Sequence, residues 1–108
     1  MGVRLLLRDD TLTARITGEI DHHTARSVRE EIDGAAQKVK PLRLCLDFSE
    51  VPFMDSSGVG LLMGRYRAMG MRKESIRAAG VSRHIDRLLH LSGLHRYIEI
   101  QTAEEEEA

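Results

Sequence analysis

The segment Leu42–Tyr66, LRLCLDFSEVPFMDSSGVGLLMGRY, limits what this chain can fold into more than any other. Leu42–Phe48 alternates, with Leu42, Leu44, Leu46 and Phe48 on one face and Arg43, Cys45 and Asp47 on the other. That is the pattern of a strand with one buried side. Ser49-Glu50-Val51-Pro52 reads as a turn. From Ser57 to Met69 the apolar positions fall at helical spacing, which predicts a helix with Val59, Leu62, Met63 and Tyr66 inward. Between strand and helix stand Asp55-Ser56-Ser57-Gly58. A helix start leaves backbone N–H groups without partners and carries the positive end of the helix dipole. The junction therefore sets a carboxylate and two hydroxyls at a point of positive potential.

The rest of the chain repeats the strand-to-helix theme. Val3–Leu7 and Thr11–Thr17 flank the turn signal Arg8-Asp9-Asp10 and predict a hairpin. Gly18 ends it, Thr24 is the expected N-cap, and Ala25–Val39 is an amphipathic helix that Pro41 stops. Gly60 and Gly64 lie inside the second helix, where each costs about 1 kcal/mol relative to Ala. Their i,i+4 spacing predicts a helix face drawn close to a strand. After a polar connection, Gly70–Glu74, the weak pattern of Ser75–Val81 predicts a further strand. Ser82 caps a third helix over Arg83–Leu91, Ser92-Gly93 ends it, and Tyr97–Gln101 is the last strand. The order β β α β α β α β is that of an α/β fold: a mixed sheet, an opening hairpin, then alternating helices and strands with the helices packed on the sheet. One domain is expected over residues 1–102, followed by an acidic, disordered tail at 103–108.

Composition narrows the function. A length of 108 residues suits one core. Aromatic residues make up 4% with no Trp, and net charge is −1, so neither base stacking nor a basic stripe points to nucleic acid. No apolar run reaches membrane-spanning length, no signal-peptide layout opens the chain, and the single Cys45 reads as a buried small hydrophobe. A cytoplasmic protein is expected, with no membrane partner.

Four groups of residues are candidates for a site. Asp55-Ser56-Ser57-Gly58 is at minimum a helix cap; beyond that, a serine there could act as nucleophile, phosphate-binding hydroxyl or phosphorylation acceptor. Asp21-His22-His23-Thr24 lies at an equivalent turn, and if the two turns are neighbours Asp21 and Asp55 flank Ser56. Adjacent histidines rarely point at one ion, so no metal is expected. Phe53-Met54 is either a hydrophobic staple or, if exposed, a contact patch. A hydrolase would need Ser56 or Ser57 activated by His22 or His23 with Asp21 behind, but there is no G-x-S-x-G elbow.

Gly18–Ala25 (GEIDHHTA), Phe53–Gly60 (FMDSSGVG), Gly64-Arg65-Tyr66 and Leu91-Ser92-Gly93-Leu94 together resemble the anti-sigma factor antagonists with a STAS domain, most closely those of the sporulation sigma-F pathway. The likeness covers nearly the whole chain in the same order. It implies a STAS fold, no enzymatic turnover and no cofactor. It implies a partner that is both anti-sigma factor and serine kinase, met with its bound nucleotide. It implies that this kinase phosphorylates Ser56 and that a phosphatase reverses it. Asp21, His22, His23, Thr24, Phe53, Met54, Asp55, Ser57 and Gly58 then form the partner-binding surface. Met71–Arg77 departs from the family by being polar where an apolar strand is usual. The alternatives are a small serine-dependent hydrolase and a nucleotide-binding STAS module of another signalling assembly.

Overall fold

A computed structural model describes residues 2–104. Along the chain run β1 (Gly2–Arg8), β2 (Thr11–Thr17), α1 (Ala25–Val39), β3 (Arg43–Glu50), α2 (Ser56–Ala68), β4 (Ile76–Val81), α3 (Arg83–Leu91) and β5 (Glu99–Thr102). Single turns of 3-10 helix, Lys73–Ser75 and Leu94–Arg96, precede β4 and β5. The described strands form one sheet in the order β1-β2-β3-β4-β5, antiparallel between β1 and β2 and parallel thereafter. Successive parallel strands placed side by side by right-handed crossovers put all their helices on one face. The core follows from this. Leu12, Ala14 and Ile16 of β2, Leu44, Leu46 and Phe48 of β3, and Ile76 and Ala78 of β4 share one buried cluster with Val28 and Ile32 of α1, Leu61 and Leu62 of α2, and Ile85 and Leu89 of α3. On the opposite face Arg15 pairs with Asp47 at 3.0 Å.

The α/β order, the hairpin and the mixed sheet are as the pattern predicts. Element ends differ by a residue or two: Leu42 lies outside β3 and is exposed, and Ser75 belongs to the 3-10 turn, wholly buried with its hydroxyl 2.6 Å from Arg72 O. The weakest strand signal turns out to be an inner strand. β4 lies between β3 and β5 and is buried along most of its length. Its small residues have low strand propensity, but the setting between two strands and under helices overrides it. Gly80, at φ +63°, has no room for a side chain, since a Cβ there would stand 2.9 Å from Asp47 Oδ1 and from Ser49 Cβ. Of the predicted acidic tail, Glu104 Oε1 lies 3.3 Å from Arg83 Nη2, and 105–108 fall outside the described residues.

Two expectations for the helices are corrected. The buried residues of α2 are Gly58, Leu61, Leu62 and Arg65, while Val59, Met63 and Tyr66 are only partly buried at the margin. The inward stripe is displaced by one residue, which is about 100° of helix rotation. In consequence Gly60 and Gly64 do not touch a strand: nothing lies within 4 Å of where their Cβ atoms would be. The glycine under constraint is Gly58, whose missing Cβ leaves the space that the Met54 side chain fills. Thr24 also does not cap α1 through its hydroxyl. That role falls to Asp21, for the reason given below.

Opposite outcomes are expected at the two glycines. Gly58→Ala should lower stability by about 1–3 kcal/mol, because Met54 must be displaced from a filled core. Gly60→Ala should raise it by ~1 kcal/mol by removing backbone freedom from an open helical position. Urea unfolding midpoints of the two variants test this; equal effects would place the close contact elsewhere.

Candidate functional site

Two loops at the carboxyl ends of β2 and β3 are tied to each other by backbone. Ile20 N–H donates to Phe53 O at 3.0 Å, Asp55 N–H donates to Ile20 O at 3.1 Å, and Ile20 pairs with Met54 as a parallel bridge. Both Ile20 and Met54 are buried. The segments Asp21–Thr24 and Asp55–Gly58 therefore emerge side by side, as the sequence required for Asp21 and Asp55 to flank a common position.

Each loop ends in an aspartate that holds backbone N–H groups. Asp55 has extended backbone, and its Oδ1 accepts from Ser57 N–H at 2.8 Å while its carbonyl accepts from Gly58 N–H at 3.0 Å. Asp21 Oδ1 accepts from His23 N–H at 2.8 Å and from Thr24 N–H at 3.0 Å. Thr24 is turned the other way: its hydroxyl accepts from Asp21 N–H at 3.0 Å and donates to Glu19 O at 2.9 Å. Aspartate one turn ahead of the helix thus supplies the acceptor that threonine was expected to give. The hydrogen bonds from Thr24 and then His23 hold the Asp21 carboxyl below its ordinary value. Asp21 Oδ1 is thus committed to the backbone of its own turn, with no hydrogen bond to the His22 or His23 ring.

Ser56 is the first residue of α2 and is exposed. Among the described residues its hydroxyl has no hydrogen-bond partner, and nor has that of Ser57, whereas Asp55 Oδ1 is taken by the Ser57 N–H. His22 and His23 are exposed, their rings 3.9 Å apart. Phe53 is 44% exposed and stacks on His84 of α3 at 5.6 Å. Met54 is 1% exposed, which corrects its place in a contact surface: it is a core residue seated beneath Gly58, the staple rather than the patch. Gly58 is likewise buried and acts by admitting Met54.

The sequence reading missed two contributors. His84 comes to the site only because α3 packs beside α2; its one signal was a position two residues after the Ser82 cap, whose hydroxyl accepts from Ile85 N–H at 3.2 Å. Arg26 and Arg29 of α1 line a groove of about 360 Å³ with Ser57 and Gly60 of α2, which places cations close to Ser57. Among the described residues no group of His, Cys, Asp and Glu could hold a metal ion, and no helix is long and apolar enough to cross a membrane.

Two tests follow. Asp55→Ala should cost about 1 kcal/mol through the lost cap, read from unfolding midpoints. For Asp21 the folded carboxyl titrates below the unfolded one. Its contribution is therefore complete above the ordinary aspartate value and is lost as pH falls through the lowered folded value. The melting temperature of Asp21→Asn should accordingly fall less steeply on acidification than that of the wild type.

Comparison with known proteins agrees with this architecture. The STAS domain matches residues 3–107. An anti-sigma F factor antagonist of Paenibacillus polymyxa is 36% identical over 89 residues, 82% of this chain and 76% of the relative. An anti-sigma-B factor antagonist of Listeria monocytogenes is 33% identical over 107 residues, 98% of this chain and 93% of the relative. The anti-sigma factor antagonist SpoIIAA is similar in structure in its unphosphorylated form (TM-score 0.77, 30% identity, 96% of this chain and 91% of that one). So is the Bacillus cell fate determinant SpoIIAA in its phosphorylated form (TM-score 0.68, 30% identity, 96% and 95%). On this fold and these matches, the chain belongs to the STAS domain family, with anti-sigma factor antagonists as its relatives.

Proposed function

We propose that this chain is an anti-sigma factor antagonist whose unphosphorylated form binds an anti-sigma serine kinase and frees its sigma factor. Phosphorylation of Ser56 ends the binding, and a phosphatase restores it. The chain acts as a regulatory binding module without turnover of its own. The observation that carries this reading is the position of Ser56: exposed and first in α2, its hydroxyl uncommitted, while Ser57 beside it is only half-buried and Asp55 is spent on the cap. That relatives are named antagonists and that SpoIIAA is known with and without phosphate support it.

The physics of the switch lies in where the charge is added. A phosphate brings about −1.5 to −2 charges and three strong acceptor oxygens. At a helix start the chain tolerates it, because the dipole and the open N–H groups favour an anion. In a complex, the same charge beside Asp55 and Asp21 meets whatever acid or nucleotide phosphate the kinase presents. Like charges brought together in a desolvated interface cost several kcal/mol. Asp21, His22, His23, Thr24, Phe53, Asp55 and Ser57 form the surface around the acceptor; Gly58 and Met54 support it from below.

Binding of the anti-sigma kinase to three forms of the chain tests the proposal. Ser56→Ala should bind as the wild type does and stay bound in the presence of ATP. Ser56→Asp should bind at least about tenfold more weakly, a loss of ~1.4 kcal/mol, with an unchanged melting temperature. Equal affinities for Ser56→Asp and wild type, or phosphate recovered on another residue by mass spectrometry, would overturn it.

A further inference from the structure

A second groove lies at the other end of the helix pair, where α1 and α2 finish. It has a volume of about 530 Å³. Its walls are part apolar, from Ala36, Leu44, Ala68 and Met69, and part charged. The charges are unbalanced: Lys40, Arg65 and Arg72 face a single carboxylate, Asp33.

Arg65 is the unusual member. It is 7% exposed, in the middle of an otherwise apolar face of α2. Its Nε lies 2.8 Å from Asp33 Oδ1, an ion pair, but out of line for a hydrogen bond. Its Nη1 is buried with no acceptor. A guanidinium donor buried without a partner keeps the cost of its lost hydration. Burial pulls Arg65 below its ordinary value; Asp33 opposes this, and the nearby Arg29 adds to it. One carboxylate, itself partly exposed, leaves the positive charge under-compensated. Helix ends normally present carbonyls that repel an anion. Here one of them is occupied by a side chain, Met69 O accepting from Arg72 Nε, and Arg72 Nη2 also donates to Leu42 O beyond the end of α1. Lys40 also holds a left-handed conformation, φ 48°, at a position where glycine is the usual choice.

We infer that this groove is a binding site for a small organic oxyanion, a carboxylate or phosphate monoester on an apolar body, with Arg65 as its buried anchor and Lys40 and Arg72 at its rim. Nε and Nη1 are sealed from solvent, so the head group meets the part of the Arg65 guanidinium that lines the groove, together with Lys40 and Arg72, and the body lies against Ala36, Leu44, Ala68 and Met69. The site is separate from Ser56. Nine residues of helix separate Ser56 from Arg65, a rise of about 13 Å.

Nuclear magnetic resonance titration of the isotope-labelled chain tests this. Phenyl phosphate and benzoate serve as the two head-group classes, and phenol and inorganic phosphate as the separate halves. The expected result is saturating shifts at the amides of Ala36, Ala68 and Met69 and at the Arg65 Nε–H with one or both whole probes. Whichever binds more tightly identifies the head group. Lys40→Glu, at an exposed rim position that leaves the core intact, should weaken that binding about tenfold, and Arg72→Gln should weaken it as well. The inference fails if neither whole probe saturates by about 10 mM. It also fails if phenol alone binds as well, or if Lys40→Glu leaves the affinity unchanged. A purely structural role for the Arg65–Asp33 pair gives that last set of outcomes.

Discussion

Two backbone hydrogen bonds hold the working end of this protein together, Ile20 N–H to Phe53 O and Asp55 N–H to Ile20 O, which together make the Ile20–Met54 bridge. They extend the pairing of β2 with β3 beyond the ends of both strands, into segments that would otherwise be free loops. Their position is fixed from below, because Ile20 and Met54 are core residues and Met54 fills the space that Gly58 leaves. Everything above depends on this. It sets the Asp21 and Asp55 turns next to each other, starts α2 at a defined residue, and leaves Ser56 on the surface.

Under the proposed function, such an arrangement separates stability from signalling. The groups that hold the loops are backbone amides, two aspartate oxygens and buried apolar side chains. The group proposed to be modified is a hydroxyl that holds nothing. On the proposed function, charge added to it would change the surface potential near Asp21, Asp55, Arg26 and Arg29 without removing any contact that fixes α2. A switch of this kind works by altering what the surface will accept, without a second fold to populate.

The strand–helix alternation, the hairpin and the junction at Asp55–Gly58 were legible in the sequence, because period-2 and period-3.6 patterns are local. The pairing of the two turns was legible only as a condition, since it depends on which strands are neighbours. What pattern could not supply was rotation and partner choice. With small residues at Gly58, Gly60 and Gly64, the apolar stripe of α2 has no sharp centre, and the true inward face includes an arginine. β4 carried little signal because Ala78, Ala79 and Gly80 are chosen for close packing, and Gly80 for its contact with Asp47 and Ser49. Met54 and Phe53 are adjacent and similar in character, yet one is sealed and the other open; only the Ile20 bridge decides which. His84 and the Arg65 groove required the tertiary structure.

The central claim is that the interlocked loops form a finished platform which a phosphate on Ser56 decorates without rebuilding. Amide hydrogen exchange on the chain before and after stoichiometric phosphorylation of Ser56 measures this directly. Protection at Ile20 and Asp55 and through the body of α2 should be unchanged, with differences confined to Asp21–Thr24 and Ser56–Gly58. Loss of protection at Ile20 or Asp55, or along α2 to Arg65, would mean that the phosphate breaks the platform, and the account would be wrong.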